Sequence, residues 1–202
     1  MKLFFSPGAC SLSPHIALRE AGLDFELKRV DLRAHTVEDG TDYYQINPKG
    51  YVPALGLDNG AVLAEGPAIV QYIADQAPQS GLAPANGTFE RYQLQEWLTF
   101  INSEIHKNFS ALFNPKTPAE QRTMVLANLN NRLAWVNSQL EGKSFLMGET
   151  FTVADGYLFV VVGWSGYLKV DISHLQNLSA FQGRVASRPT VQAAMKAEGL
   201  LN

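Results

Sequence analysis

Cysteine is almost absent from this sequence, since Cys10 is the only one among 202 residues. A single thiol cannot form a disulfide within the chain, and a metal cluster built from several cysteines is excluded as well. Such cysteine usage is typical of proteins in a reducing compartment. We therefore expect neither a disulfide nor a bound metal.

An excess of positive charge is also missing. The 16 Lys and Arg residues are outnumbered by 19 Asp and Glu residues, which gives a net charge of −3. Because the basic residues are scattered along the chain, binding to nucleic acid or to an anionic membrane surface has no electrostatic basis. We expect neither of these partners.

Long apolar runs are the third absence. The longest stretch, 157–164, is far shorter than the roughly 20 residues that a membrane-spanning helix needs. The apolar start of the chain, 1–5, is likewise too short for the apolar segment of a secretory signal. The sequence therefore predicts a cytoplasmic protein whose apolar fraction, 46%, is large enough to form a substantial core.

The first third of the chain alternates strand-like and helix-like segments. Residues 3–5 form a short apolar strand, and Ser13-Pro14 supplies the cap and the early proline that are typical of a helix start. Gly22 is placed to end that helix. A second strand at 25–32 then returns parallel to the first, because a helical crossover joins them.

A hairpin is predicted next. Residues 51–57 and 61–64 flank Asp58-Asn59-Gly60, whose residues tolerate positive φ angles and suit a tight turn. Pro53 has no N–H to donate, so we expect either an edge strand or a cis peptide bond at this position. With a helix from about residue 66, these segments make one α/β unit.

The pattern changes after the first domain, which we place at 1–78. Residues 79–87 are rich in Pro, Gly, Ser and Asn, as is typical of a linker. Residues 88–202 show apolar spacing of three and four without strand-like alternation, so an all-helical second domain is predicted. Helix starts are expected at Thr117-Pro118-Ala119-Glu120 and, through a capping box, at Thr152-Val153-Ala154-Asp155.

Two later segments complete the helical pattern. The helix that follows Asp155 is apolar on nearly every face over 157–164, so we expect it at the centre of the second domain. A further amphipathic helix over 175–185 is predicted to stop near Arg188-Pro189.

Cys10 stands where the first strand ends and the first helix is about to begin. Unsatisfied N–H groups at a helix N-terminus, and the positive end of the helix dipole, favour a thiolate. The sequence therefore predicts that the pKa of Cys10 lies well below the ordinary thiol value of about 8.5. The alternative is a small buried apolar residue, the usual place of a free cysteine, and the local pattern leaves both open.

Six motifs carry a resemblance to a known family through their order and spacing. They are Ser6-Pro7-Gly8-Ala9-Cys10-Ser11, Asn47-Pro48-Lys49-Gly50, Val52-Pro53-Ala54-Leu55, Glu65-Gly66-Pro67-Ala68-Ile69, Glu104-Ile105-His106-Lys107 and Phe151-Thr152-Val153-Ala154-Asp155. On these residues the chain resembles the bacterial cytosolic glutathione transferases, most closely their beta class. The resemblance implies a thioredoxin-like α/β domain of order β-α-β-α-β-β-α, an all-α C-terminal domain and a homodimer. The chain is also similar to the transferases found alongside aromatic-pollutant degradation.

The resemblance further implies which residues bind glutathione, the expected co-substrate. Cys10 lies at the glutathione thiol, Val52 pairs with the cysteinyl backbone, and Glu65 with Gly66 holds the γ-glutamyl group. The contacts implied from the second domain are consecutive in the chain: Ser103, Glu104, Ile105, His106 and Lys107. Cys10 and His106 are the implied catalytic residues, and Glu104 is implied to reach the γ-glutamyl ammonium across the dimer interface.

The chain departs from the family's pattern at three positions. Phe5 lacks the hydroxyl with which many other classes activate glutathione near the end of the first strand. Cys10 and Ser11 are therefore the candidates for that role. His35 stands where some relatives have Lys, so a contact with the glycyl carboxylate would depend on pH. Thr99 replaces an Asn and lacks the second donor of the amide. Ser11, His35 and Thr99 are therefore the weaker candidates for glutathione contacts.

We expect a glutathione transferase that offers the glutathione sulfur to a hydrophobic electrophile held between the domains. Four aromatic residues are candidates for lining that second site, although helix packing is their ordinary role: Phe109, Phe113, Trp164 and Tyr167. Two other functions stay open. Cys10 could form a mixed disulfide with glutathione, as in a thiol–disulfide oxidoreductase or a reductive dehalogenase, or the chain could be a non-enzymatic binding scaffold of this fold.

Overall fold

The computed structural model describes residues 1–201. Its first part is built on a five-stranded sheet with the strand order β3-β2-β1-β4-β5. The strands are β1 (Lys2–Phe5), β2 (Glu26–Asp31), β3 (Thr36–Val37), β4 (Ala54–Gly56) and β5 (Val62–Ala64). β2 runs parallel to β1, and the other neighbours are antiparallel.

The parallel pair and the hairpin that the sequence predicts are both confirmed. Leu3 of β1 lies opposite Leu27 of β2 on one side and Leu55 of β4 on the other, so the apolar first strand is central. The Val52-Pro53 peptide bond is cis. The alternative of an edge strand is wrong, because Pro53 leads into β4, which lies between β1 and β5.

Two elements of the sheet region differ from the prediction. The two-residue strand β3 pairs with the end of β2, and a strand this short leaves no alternating pattern to detect in the sequence. The helix that the implied order places between β2 and the hairpin is a single 3₁₀ turn, Tyr43–Gln45, which begins at the side-chain cap of Asp42.

Three helices complete the first unit: α1 (Leu12–Glu20), α2 (Gly66–Gln76) and α8 (Pro189–Ala197). α1 begins earlier than the Ser13-Pro14 signal predicts, with Ser11 at its N-cap, so Pro14 is the third helical residue. A proline fits there because the first turn has no carbonyl partner for its missing N–H. Gly22 ends the helix as predicted, with φ +66°.

The second part of the chain is helical, as expected. α3 (Phe89–Phe100) runs through a π-helical segment, Ile101–His106, into α4 (Lys107–Phe113). The remaining helices are α5 (Ala119–Gln139), α6 (Val153–Leu168) and α7 (Gln176–Ala186).

The predicted helix starts have different outcomes. The capping box at the start of α6 is confirmed, with Thr152 and Asp155 exchanging hydrogen bonds. The helix it begins is buried from Val153 to Val162, as its apolar faces predict. At α5 the predicted cap is wrong, because the Thr117 hydroxyl donates to the Ala111 carbonyl and Pro118 occupies the N-cap position.

The chain divides into two compact units, and the division falls between Ala83 and Pro84, inside the predicted linker. The second unit ends at Ser187, whereas the sequence predicts a second domain that continues to residue 202. Residues 188–201 belong to the first unit because α8 packs against α1 and Arg188 pairs with Glu20. Pro189 opens α8 and is not only the stop of the preceding helix. Asn202 lies outside the described residues.

A separate observation concerns the membrane. Within residues 1–201, no helix combines the length and the apolar character that a bilayer crossing requires.

Candidate active site

Cys10 lies in the loop between β1 and α1, and Ser11 holds this loop from within. The Ser11 hydroxyl accepts the Ser6 N–H at 3.2 Å and donates to the Ser6 carbonyl at 3.2 Å. The Ala9 N–H donates to the same carbonyl. Ser11 is fully buried, so its hydroxyl is used inside the loop.

The Cys10 thiol donates to the Val52 carbonyl, with 3.4 Å between Sγ and O. Burial raises the pKa of Cys10 to about 12, and the charge of Glu65 acts in the same direction, against the lowering effect of the Cys10 and Ser11 N–H groups. The predicted low thiol pKa is therefore wrong. The helix N-terminus does supply amides, but removal from water outweighs them, and a thiol that donates to a carbonyl is held in its protonated form.

Val52 and the start of α2 lie beside this thiol. Val52 is buried in the core cluster of the first unit, and a Cβ built on Gly66 would lie 3.9 Å from Cγ of the neighbouring Pro53. Glu65 is the N-cap of α2, with φ +71°, a strained angle that costs a non-glycine residue about 1–3 kcal/mol. Three of the predicted glutathione residues, Val52, Glu65 and Gly66, are thus grouped around Cys10.

Glu65 has a partner that the sequence analysis missed. Its carboxylate lies 2.5 Å from Nζ of Lys49, and both side chains are about half exposed. The side-chain hydrogen bond to Glu65 raises the pKa of Lys49. The motif Asn47-Pro48-Lys49-Gly50 carries part of the family resemblance and forms a turn in the structure, but nothing in its local pattern indicates which carboxylate Lys49 meets.

His35 is attached to the same turn. Its Nδ1 lies 3.0 Å from the Gly50 carbonyl, and its ring lies 4.5 Å from that of Tyr44 between centroids. Because a carbonyl can only accept, Nδ1 carries the proton, and Nε2 of the neutral ring presents a lone pair. His35 could therefore bind a carboxylate through Nε2 only when the imidazole is protonated.

The predicted site residues of the second unit cluster around the π-helical segment. Such widened turns occur frequently at functional sites. Ser103 and Lys107 are exposed, whereas Ile105 is fully buried. Glu104 pairs with Arg132, with 2.8 Å between Oε2 and Nε. The Thr99 hydroxyl donates to the Gln95 carbonyl one turn earlier in its own helix.

His106 belongs to a chain of three polar side chains. Its Nδ1 lies 2.6 Å from the Tyr157 hydroxyl, which donates to Oδ1 of Asn102 at 3.0 Å. The only hydroxyl proton is committed to Asn102, so His106 Nδ1–H donates to the Tyr157 oxygen and Nε2 is left as an acceptor. Burial, and to a lesser degree the charge of Lys107, lowers the pKa of His106 to about 4. The imidazole is therefore neutral at pH 7.

Asn102 and Tyr157 were not predicted as site residues. Tyr157 was assigned to the apolar face of α6, and its hydroxyl is the only local signal, because a buried tyrosine usually finds a hydrogen-bond partner. Asn102 lies two residues before Glu104, outside the motif Glu104-Ile105-His106-Lys107.

Aromatic side chains cluster around Trp164, which lies next to His106. Trp164 contacts His106, Phe109 and Phe113 in edge-to-face arrangements at centroid distances of 5.0, 6.0 and 5.4 Å. Phe113 also stacks on Tyr167 at 5.8 Å. Phe109 is 0% exposed, Phe113 41% and Tyr167 79%. Phe109 is thus a core residue, whereas Phe113 and Tyr167 offer apolar surface to a ligand.

The chemistry of the two groups of residues, one in each unit, follows from these contacts. The first unit holds a protonated thiol beside a main-chain carbonyl, a helix N-terminus and a carboxylate. The second holds a neutral imidazole with a free acceptor nitrogen beside exposed aromatic rings. Within residues 1–201, no group of three or more His, Cys, Asp or Glu side chains could hold a metal ion.

Comparison with known families identifies two regions of the chain. Residues 8–76 match the family model described as the N-terminal domain of glutathione S-transferase. Residues 100–189 match the corresponding C-terminal domain. The candidate residues of both units fall largely within these matches.

Full-length relatives and solved structures agree with the family models. The chain is 48% identical to glutathione S-transferase GstA of Escherichia coli O157:H7, over 99% of this chain and 100% of the relative. It matches the structure of a ternary complex of BphK, a bacterial GST, with 60% identity, a TM-score of 0.98 and coverage of 99% and 100%. A sphingomonad glutathione S-transferase complexed with glutathione matches at 51% identity and a TM-score of 0.96, over 100% of both chains. A beta-class enzyme from Sphingomonas chungbukensis matches at 50% identity with the same TM-score and coverage.

Proposed function

The chain belongs to the glutathione S-transferase family and is an enzyme of the bacterial beta class, and we propose how its residues conjugate glutathione to an electrophile. Its first part is thioredoxin-like. The first unit binds reduced glutathione with the thiol at Cys10. The second unit supplies His106 and the apolar surface for a hydrophobic electrophile. The alternative of a non-enzymatic binding scaffold is disfavoured, because the relatives of the chain are glutathione S-transferases.

The observation that carries this proposal is the contact between Cys10 and Val52, with the start of α2 beside it. Glutathione needs a donor for its γ-glutamyl carboxylate, an acceptor for its ammonium and a backbone partner for its cysteinyl residue. The Gly66 N–H at the N-terminus of α2 suits the carboxylate. The Glu65 carboxylate suits the ammonium, and Val52 offers the backbone partner.

Lys49 must leave the Glu65 carboxylate when glutathione binds. In the free protein its ammonium occupies the Glu65 carboxylate, so the glutathione ammonium competes with Lys49 for the same oxygens. Since both side chains are half exposed, Lys49 can turn to solvent at little cost, because an exposed ion pair contributes only about 0–1 kcal/mol.

We infer that Cys10 acts as a hydrogen-bond donor to the glutathione sulfur. A thiol with a pKa of about 12 stays protonated at neutral pH, so it can donate S–H to a thiolate but is a poor nucleophile. In the conjugation the glutathione thiol passes its proton to Nε2 of His106 or to a water molecule, its sulfur forms a bond to the electrophilic carbon, and the leaving group departs with its electron pair. Cys10 keeps its proton throughout, which disfavours the mixed-disulfide reaction.

In the second unit, His106 is the proposed polarising base. Its neutral Nε2 can accept a proton from a thiol or a bound water, while Tyr157 and Asn102 hold the ring. Phe113 and Tyr167 supply apolar surface for the electrophile. The exposed Ser103 and Lys107 are available to the bound tripeptide, whereas Ile105, being buried, contributes through its backbone.

The proposed assembly is a cytoplasmic homodimer of chains that each carry a domain at 1–78, a linker at 79–87 and a helical domain from 88. Glu104 of one protomer would then reach the γ-glutamyl ammonium bound by its partner and would exchange Arg132 for it. His35 and Thr99 stay weak candidates, because their side chains are engaged locally.

Calorimetry of glutathione binding tests the site with a matched pair of variants. Glu65→Gln removes the proposed partner of the ammonium and should weaken binding at least about tenfold, the effect of losing 1.4 kcal/mol. Glu26→Gln is the control, since Glu26 also forms an exposed pair with a lysine, Lys28, away from Cys10. Equal affinity of both variants would contradict the proposed site, and no binding heat in the unmodified protein would reject glutathione as the ligand.

Activity separates the two enzymatic functions. A transferase should turn over an aromatic nitro chloride faster than a mixed disulfide of glutathione. The reverse order, with a glutathione adduct on Cys10 in mass spectra, would favour the oxidoreductase.

A further inference from the structure

The C-terminal segment of the first unit contacts the loop that carries Cys10. Oε2 of Glu198 accepts the Gly8 N–H at 3.0 Å, and Gly8 precedes Cys10 by two residues. Oε1 of the same carboxylate lies 2.8 Å from Nδ1 of His15 in α1. The side chains of Glu198 and His15 are both 0% exposed. One buried carboxylate therefore joins three parts of the chain.

A chain of hydrogen bonds from Arg19 through His15 holds the Glu198 carboxylate in a single orientation. Arg19 Nε donates to Nε2 of His15 at 2.9 Å, so Nε2 must be an acceptor and the ring proton lies on Nδ1. That proton points at Glu198. A buried carboxylate is tolerated only when it is paired and hydrogen-bonded, and here His15 and Gly8 meet that requirement with one donor for each oxygen.

The same segment covers the loop with an apolar side chain. Gly8 has φ +70°, and a Cβ built on it would lie 3.4 Å from Cδ2 of Leu200. Ser11 restrains the loop from inside through Ser6, whereas Glu198 and Leu200 restrain it from outside. Residues near the other end of the sequence thus contact the loop that carries Cys10.

We propose that Glu198 is a positioning residue for Cys10. By holding the Gly8 N–H it keeps the loop in the conformation in which the Cys10 thiol meets the Val52 carbonyl. When this restraint is lost, the loop loosens, the thiol becomes more accessible, and glutathione meets a less ordered partner. The consequence for glutathione rests on the proposed function, but the consequence for thiol accessibility does not.

The first test is the alkylation rate of Cys10 in the absence of glutathione. Because Cys10 is the only cysteine, iodoacetamide reports on it alone. Glu198→Gln leaves one side-chain oxygen for two donors, and we expect alkylation at pH 8.5 to accelerate about tenfold, the factor that corresponds to 1.4 kcal/mol of lost restraint. KM for glutathione should rise by a similar factor, while KM for the electrophile changes little.

The matched control is Glu20→Gln. Glu20 also ties the C-terminal segment to α1, through Arg188 and Thr190, but it contacts neither Gly8 nor Cys10. This variant should lower Tm and leave the alkylation rate and KM unchanged. Each alkylation rate is measured at the same number of degrees below the Tm of that variant. If the two substitutions change the rate equally under this condition, Glu198 is not a positioning residue.

Two further measurements keep the proposal testable if Glu198→Gln does not fold. Glu198→Asp retains the buried charge but is one methylene shorter, so it cannot reach His15 and Gly8 together and should also accelerate alkylation. In the unmodified protein, the Gly8 amide should be protected from hydrogen exchange, and an unprotected amide would overturn the proposal. If the unmodified protein lacks transferase activity, the proposed function fails, whereas the alkylation comparison still decides the role of Glu198.

Discussion

The thiol of Cys10 points at the main-chain carbonyl of Val52, 3.4 Å away. This contact places the sulfur beside the carbonyl proposed to pair with the cysteinyl residue of glutathione. It also fixes the protonation state, because a carbonyl accepts from a thiol and repels a thiolate. Cys10 is therefore prepared to donate a hydrogen bond, and in the proposed reaction the negative charge develops on the sulfur of glutathione.

The pH profile of Cys10 alkylation should reflect its raised pKa. Since the thiolate is the reactive form and the pKa is about 12, the logarithm of the alkylation rate should rise with unit slope through pH 9 without a plateau. Iodoacetamide kinetics between pH 6 and pH 10 provide the measurement, with glutathione as the free-thiol control. A profile that is half-maximal at or below about pH 8.5 would show an ordinary or an activated thiol and would contradict the raised pKa.

His106 should not titrate in the neutral range. Its pKa is lowered to about 4 by burial, so the ring should stay neutral from pH 8 down to about pH 5. In the unfolded chain it protonates near its ordinary value of about 6.5, and its contribution to folding stability is therefore lost as pH falls from 6.5 through 4. NMR spectra of the ring measure this directly, with His106→Asn to assign the signal, and a midpoint near 6.5 would contradict the neutral base.

The capping box of α6 should contribute measurably to stability. Asp155 accepts the Leu146 N–H, the Thr152 N–H and the Thr152 hydroxyl. Burial raises its pKa to about 6, so at pH 7.5 the carboxylate is the main form. Asp155→Asn replaces one acceptor by a donor that faces these groups, and it should destabilise the protein by about 1–3 kcal/mol.

Urea unfolding at pH 7.5 measures that loss. Asp171→Asn is the control, since Asp171 accepts the Ser173 N–H in an exposed turn, where the substitution should cost less than about 0.5 kcal/mol. Equal destabilisation by the two substitutions would mean that the capping box has no special role.

Local signals in the sequence were sufficient for much of the fold. The parallel strands, the Asp58-Asn59-Gly60 hairpin and the capping box at Thr152 all depend on residues within a few positions of each other. Short elements escaped detection because a two-residue strand such as Thr36–Val37 has no period. α8 was missed because Pro189 is compatible both with the end of one helix and with the first residue of the next.

The site was harder to predict where it depends on distant residues. The pairs Lys49 with Glu65 and His15 with Glu198 join residues 16 and 183 positions apart, and sequence spacing carries no information on such contacts. The direction of the Cys10 pKa was wrong for a related reason. The helix N-terminus is a local signal, whereas burial, which outweighs it, is a property of the folded chain.

The most direct test of the proposed donor role is the thiol pKa of bound glutathione, read from the ultraviolet absorbance of its thiolate. In Cys10→Ala, which should still bind glutathione, this pKa should rise by about one to two units, since a hydrogen bond to a charged group contributes about 1.5–3 kcal/mol, while Cys10→Ser should retain most of the effect. An unchanged pKa of bound glutathione in Cys10→Ala would show that the cysteine does not stabilise the thiolate and would contradict the account.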